Sequence, residues 1–221
     1  MKPQLTPRYL ATALLATFAA TASTPALAHV GVDGSAHAHD ALSSFIEGWM
    51  HPISGLDHLA AMVSVGLWSV LGTPAKAMRG TRASVWHQPI AFALTLLIGA
   101  LAGMAGLNLP GVEPMIAASL LVLGLLVAGR ASWPASASVS LVAGFAFFHG
   151  LAHGQELSGH ALATLVGMVL STFSLHLAGM GAGWALRDAA SPLRRWISRA
   201  TGTAVALFGV SMLPSALAAV L

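Results

Sequence analysis

Six long apolar stretches, each close to the roughly 20 residues that a helix needs to cross a bilayer, dominate this 221-residue chain. They run about 52 to 72, 88 to 107, 112 to 129, 136 to 156, 160 to 184 and 200 to 220. In lipid no water satisfies the backbone, so such segments close their hydrogen bonds internally, as helices or as strands of a closed barrel. Barrel strands alternate apolar and polar residues over short segments, whereas these runs are continuous and rich in Leu, Ala, Val and Gly. The expected fold is therefore an all-α membrane protein, a polytopic bundle of about six transmembrane helices. Small residues recur at helical spacing in Gly99-Ala100-Leu101-Ala102-Gly103 and Gly179-Met180-Gly181-Ala182-Gly183, which lets helix backbones approach closely.

Composition closes other routes. Charged residues make up 8% of the chain, against roughly 25% in ordinary soluble domains, and so apolar a chain is no candidate for disorder. Ten Lys and Arg outnumber seven Asp and Glu, but no basic run is dense enough to track phosphates, which excludes nucleic acid as a partner. Cysteine is absent, and with it disulfides, thiolate metal sites and thiol nucleophiles. No GxxxxGK[ST] loop or soluble segment offers a nucleotide site. Ten histidines are left to be explained.

Lys2 and Arg8 precede an apolar run from Tyr9 to Ala20, and Ala26-Leu27-Ala28 has the small-x-small pattern of a cleavage site. Residues 1–28 are expected to be a signal peptide whose removal leaves His29 first. Residues 29–221 then form a single integral membrane domain, opening with a short His-containing segment, 29–50. Within it Ala41 to Met50 reads as an amphipathic helix lying at the membrane surface. Lys76, Arg79 and Arg82 fall between spans one and two, Arg130 between three and four, and Arg187, Arg194, Arg195 and Arg199 between five and six. Cytoplasmic loops collect Lys and Arg, so the mature amino terminus and the carboxyl terminus are both expected in the periplasm, on a multi-pass chain in the bacterial inner membrane.

Ionisable groups inside spans cost about 2.5 to 3.5 kcal/mol on insertion scales and mark function by default. Three places qualify: His51-Pro52-Ile53-Ser54-Gly55-Leu56-Asp57-His58 opening span one, His149-Gly150-Leu151-Ala152-His153-Gly154-Gln155-Glu156 closing span four, and His176 within span five. Pro52 disfavours a helical His51, so span one is expected to begin at the proline. Asp57 and His58 then lie roughly 8 to 9 Å deeper at 1.5 Å per residue. Two helical turns separate His51 from His58, which read as successive contacts rather than ligands of one ion. His149 and His153, four apart, share a helix face and can bite one ion, with Glu156 three residues further along that face. Because spans one and four run in opposite directions, both sets reach the same outer layer. Any one histidine can serve as a cap; all of them together, with carboxylates, suit Ni, Cu, Zn or Fe(II). His29, with its free amine after cleavage, and the His37/His39 tract can collect ions outside, or belong to a solvated tail. His87 and His160 sit at span ends without an evident role, and the scattered Met62, Met104, Met115 and Met168 read as packing.

The order of these motifs, HPxxGxDHxxAMxxVGLW followed by FFHGxAHGxE, resembles the HupE/UreJ family of hydrogenase and urease accessory membrane proteins. His51, Pro52, Gly55, Asp57, His58, Ala61, Met62, Val65, Gly66, Leu67 and Trp68 match the first motif. Phe148, His149, Gly150, Ala152, His153, Gly154 and Glu156 match the second, and His176 with Gly179 match a later His before a small-residue helix. The resemblance implies a nickel or cobalt permease that handles the ion through these His and Asp residues. It implies no permanently bound cofactor, the divalent metal ion and the lipid bilayer as partners, and no catalytic residue. Two other readings of the same histidines are an intramembrane zinc hydrolase with Asp57 or Glu156 as base, which lacks HExxH, and a bis-His cytochrome, for which the carboxylates are superfluous.

Overall fold

The computed structural model describes residues 40–74, 85–157, 160–188 and 190–218. The expected signal peptide, His29, His37, His39, Lys76, Arg79 and Arg82 lie outside the described residues. Seven helices, and no strand, are found among the described residues: α1 (Ala41–Ser54), α2 (Leu56–Leu71), α3 (His87–Met104), α4 (Val112–Gly129), α5 (Ala135–Glu156), α6 (Ala161–Leu186) and α7 (Pro192–Ala218). Helices α3 to α7 are each long and apolar enough to cross a membrane. α1 and α2 pass the same test as a pair bent by 77°, which makes up to six spans. The chain is an all-α, multi-pass membrane protein.

Two boundaries differ from expectation. Span one does not begin at Pro52, because α1 runs through the proline and the break falls three residues later, at Gly55 (φ −80°, ψ 114°). α1 is held from outside: Gly48 lies against the Thr164 carbonyl of α6, and Gly167 of α6 against the Phe45 carbonyl. That packing keeps the last turn helical despite the amide proton that proline lacks. The buried stripe of α1 is Ser44, Gly48 and Pro52, while Leu42, Ile46, Met50 and Ile53 form an exposed apolar stripe suited to lipid. The last helix begins at Pro192, ahead of the span expected from about residue 200, so Arg194, Arg195 and Arg199 lie inside α7 instead of in the loop before it. Proline favours the first helical position, and a helix can extend past the hydrocarbon with charged residues that hydropathy discards.

Helices in lipid gain little from burying apolar surface against one another, so close backbone contact carries their association. Each principal helix pair has reciprocal glycines. In α3 and α5, Gly99 faces the Phe147 carbonyl and Gly103 that of Leu151, while Gly150 and Gly154 face the carbonyls of Leu96 and Ala100. Gly66 and Gly179 do the same between α2 and α6, as do Gly124, Gly202 and Gly209 between α4 and α7. α2 is the central helix, touching α1, α3, α4, α6 and α7, and it is buried from Ser64 to Val70 without interruption. The core around it includes Met62, Trp68, Phe92, Leu96, Leu120 and Leu123.

At the end of the bundle away from Gly55, arginines bind backbone carbonyls that helix termini leave unpaired. Arg187 donates to Val70 O at 2.9 Å and Thr73 O at 2.8 Å, where α2 ends. Arg130 donates to Ser198 Oγ at 2.9 Å and to Leu186 O, where α6 ends. Trp68 Nε1 donates to Ala131 O at 2.8 Å. Cations here also complement the negative ends of the two helix dipoles. A Cβ on Gly202 would meet the Ala128 amide and the Gly124 carbonyl, whereas one on Gly144 would meet nothing within 4 Å. Gly202→Ala is therefore expected to cost about 1 to 3 kcal/mol through overpacking, read as a lower unfolding temperature in detergent, with Gly144→Ala unchanged.

Candidate metal centre

The bend at Gly55 determines which side chains meet. It turns α2 sharply away from the line of α1, so that the His51 and His58 rings lie 5.4 Å apart, centroid to centroid. His153, from the last turn of α5, lies 4.6 Å from His51 and 4.5 Å from His58. One ligand nitrogen from each of His51, His58 and His153 falls within 4.8 Å of the others. On a straight helix His51 and His58 read as successive contacts; the bend makes them neighbours, which a reading at 1.5 Å per residue cannot foresee. Metal–imidazole bonds of about 2.0 to 2.1 Å need nitrogens about 3 Å apart, so the three rings would have to draw together to hold one ion.

Asp57 orients this cluster. It occupies the first turn of α2, where the helix dipole favours a carboxylate, and its Oδ1 lies 2.8 Å from His58 Nδ1. With Nδ1–H of His58 donating a hydrogen bond to the carboxylate, the Nε2 lone pair is left to ligate, an arrangement common among metal-binding histidines. Gly55 leaves room for it: a Cβ there would come within 2.9 Å of His58 Nδ1 and 3.1 Å of Asp57 Oδ1.

His149 and His176 lie deeper and outside the three-histidine group. His149 has no exposed surface, and its Nδ1 donates to Phe145 O at 2.9 Å, one turn back on α5. His176 is equally buried, and its Nδ1 donates to Met62 O of α2 at 2.7 Å. A carbonyl only accepts, so both rings carry the proton on Nδ1 and keep a lone pair on Nε2. The Nε2 atoms of His58, His149, His153 and His176 are all buried without a hydrogen-bond partner, although buried polar atoms are ordinarily satisfied. Four orphaned nitrogens of one kind are what a soft or borderline cation would satisfy.

His149 and His153 share a face of α5, but only His153 joins the group. His149 instead stands 5.6 Å from the His58 ring, one step further in. Glu156 is exposed at the end of α5, where it lines a shallow recess together with Pro110, Val112, Glu113 and Gln155. His87 opens α3, exposed at the arginine end, and His160 precedes α6. Met62 and Met168 are core residues, while Met104 is exposed. One residue that the sequence did not single out stands among the rings: Phe92 of α3, between His149 and His176. A lone aromatic in an apolar span carries no signal of such a position. Replacing the carboxylate while keeping its shape, in Asp57→Asn, is expected to weaken binding of a divalent transition-metal ion by about 10- to 100-fold, measured by titration calorimetry on purified protein, with the unfolding temperature preserved.

A family model described as HupE / UreJ protein matches residues 15–212. Protein HupE of Rhizobium leguminosarum bv. viciae is 37% identical over 195 residues, covering 86% of this chain and 96% of that protein. No solved structure matches. With most of its length matched by the family model and a relative aligned nearly end to end, the chain belongs to the HupE/UreJ family.

Proposed function

We propose that the chain is a permease of the bacterial inner membrane that imports Ni2+, or Co2+, for maturation of a hydrogenase or a urease. The observation that carries this reading is the three-imidazole cluster of His51, His58 and His153, with His58 held by Asp57. Family membership supports it. A transport site has to release what it binds, and an incomplete ligand set open to further ligands suits that better than a closed tetrahedral cage. Deeper imidazoles with unpartnered Nε2 atoms, at His149 and His176, offer onward positions. His29, His37 and His39 would gather ions at the periplasmic mouth, with both mature termini on that side. The clustering of Arg130, Arg187, Arg194, Arg195 and Arg199 at the opposite end favours that end as cytoplasmic. Movement is facilitated or gradient-coupled, without nucleotide, without a resident cofactor and without covalent chemistry on the cargo.

The test is uptake of radiolabelled nickel at low concentration by metal-starved cells expressing the chain. Saturable uptake, competed chiefly by cobalt and lost in His153→Ala and Asp57→Ala at unchanged membrane abundance, is the expected result. Uptake no greater than in empty cells, with the protein present in the membrane, overturns the reading.

A further inference from the structure

The rings of the site form a broken file. At the mouth His51, His153 and His58 form a triangle with centroids 4.6, 4.5 and 5.4 Å apart, and His149 follows at 5.6 Å from His58. The next ring is Phe92, 5.9 Å from His149, and beyond it is His176 at 5.0 Å, nearly perpendicular. Phe92 has no exposed surface. His176 Nε2 is unpartnered, as are the buried hydroxyls of Thr172, one turn earlier on α6, and of neighbouring Ser171. Two polar positions with unmet bonding capacity are thus divided by a benzene ring that can ligate nothing.

We propose that Phe92 is the gate of this pathway, an apolar plug separating the outer histidine cluster from an inner station at His176. This rests on the transport reading of the same site. Apolar constrictions block ions by excluding the water that must accompany them, and Phe92 is placed to do so between the two deepest imidazoles. Its backbone has little freedom to withdraw, because α3 is locked to α5 by Gly99, Gly103, Gly150 and Gly154. Opening is therefore a rotation of the Phe92 side chain, with its helix in place.

The chain contains no cysteine, so a single His176→Cys can be followed by its reaction with a membrane-impermeant thiol reagent applied from the His51 side, without metal. With Phe92 present the reaction is expected to be slow, and Phe92→Ala is expected to speed it on the order of tenfold or more by admitting water. Phe92→Leu, which keeps a large apolar plug, stays slow. His58→Cys, on the mouth side of the ring, reacts equally in all three backgrounds and reports that the bundle is intact. Where Phe92→Ala fails to accumulate, Phe92→Val removes the ring with less loss of volume and is read the same way. Equal labelling of His176→Cys with and without the ring, in protein whose His58→Cys reacts normally, overturns the gate. Because labelling needs no cargo, that failure is distinct from an absence of nickel uptake, which would strike the transport reading instead.

Discussion

Backbone-to-backbone approach between helices is the condition on which everything else here depends. Lipid is as apolar as leucine, so no hydrophobic gain draws these helices together, and dispersion and weak polar contacts must do so at short range. Glycines facing carbonyls across α3 and α5, α2 and α6, α4 and α7, and α1 and α6 supply that range. The tightness they give explains how imidazoles at His149 and His176 are fully buried in a largely apolar bundle. It also explains how a side chain on one helix reaches the backbone of another, as His176 reaches the Met62 carbonyl. Remove the close approach, and the nitrogens would meet lipid or water instead of one another.

The two ends of the bundle use opposite electrostatic devices. Where α2 and α6 finish, guanidinium groups from Arg187 and Arg130 bind terminal carbonyls. Where α2 starts, a carboxylate lies in the first helical turn and directs an imidazole. Both follow from the polarity of the peptide dipole, and together they give one end fixed by cations and another suited to receive them.

Much of this was legible in the sequence. Hydropathy alone placed α4, bounded by Gly111 and Arg130, and came within a few residues for α3, α5 and α6. It marked only the apolar part of α7, because charged residues in a helix that leaves the hydrocarbon look like loop. The candidate residues around His51, Asp57, His58 and His153 stood out because ionisable groups are rare in apolar spans. Their mutual arrangement was not legible, since it depends on a 77° bend at Gly55. Pro52 drew attention as the stronger helix breaker, yet the packing of α1 on α6 held the helix through it. Tertiary contact decided between two adjacent breaking signals, and no local rule ranks them. Phe92 was invisible for a related reason, as its meaning lies wholly in what flanks it on other helices.

The pairing pattern bears on how the molecule is made. None of the four principal partnerships joins neighbours in the chain: α1 and α2 both pack on α6, α3 on α5, and α4 on α7. During synthesis from the amino terminus, α2 enters the membrane carrying Asp57 and His58 long before the helix that completes its packing has been translated. Its polar face must wait, exposed to lipid or sheltered by the insertion apparatus, until α5 and α6 arrive. A ribosome that stops after α4 would leave a product in which none of these partnerships exists, so the natural unit of assembly is the entire bundle and not any shorter run of its helices.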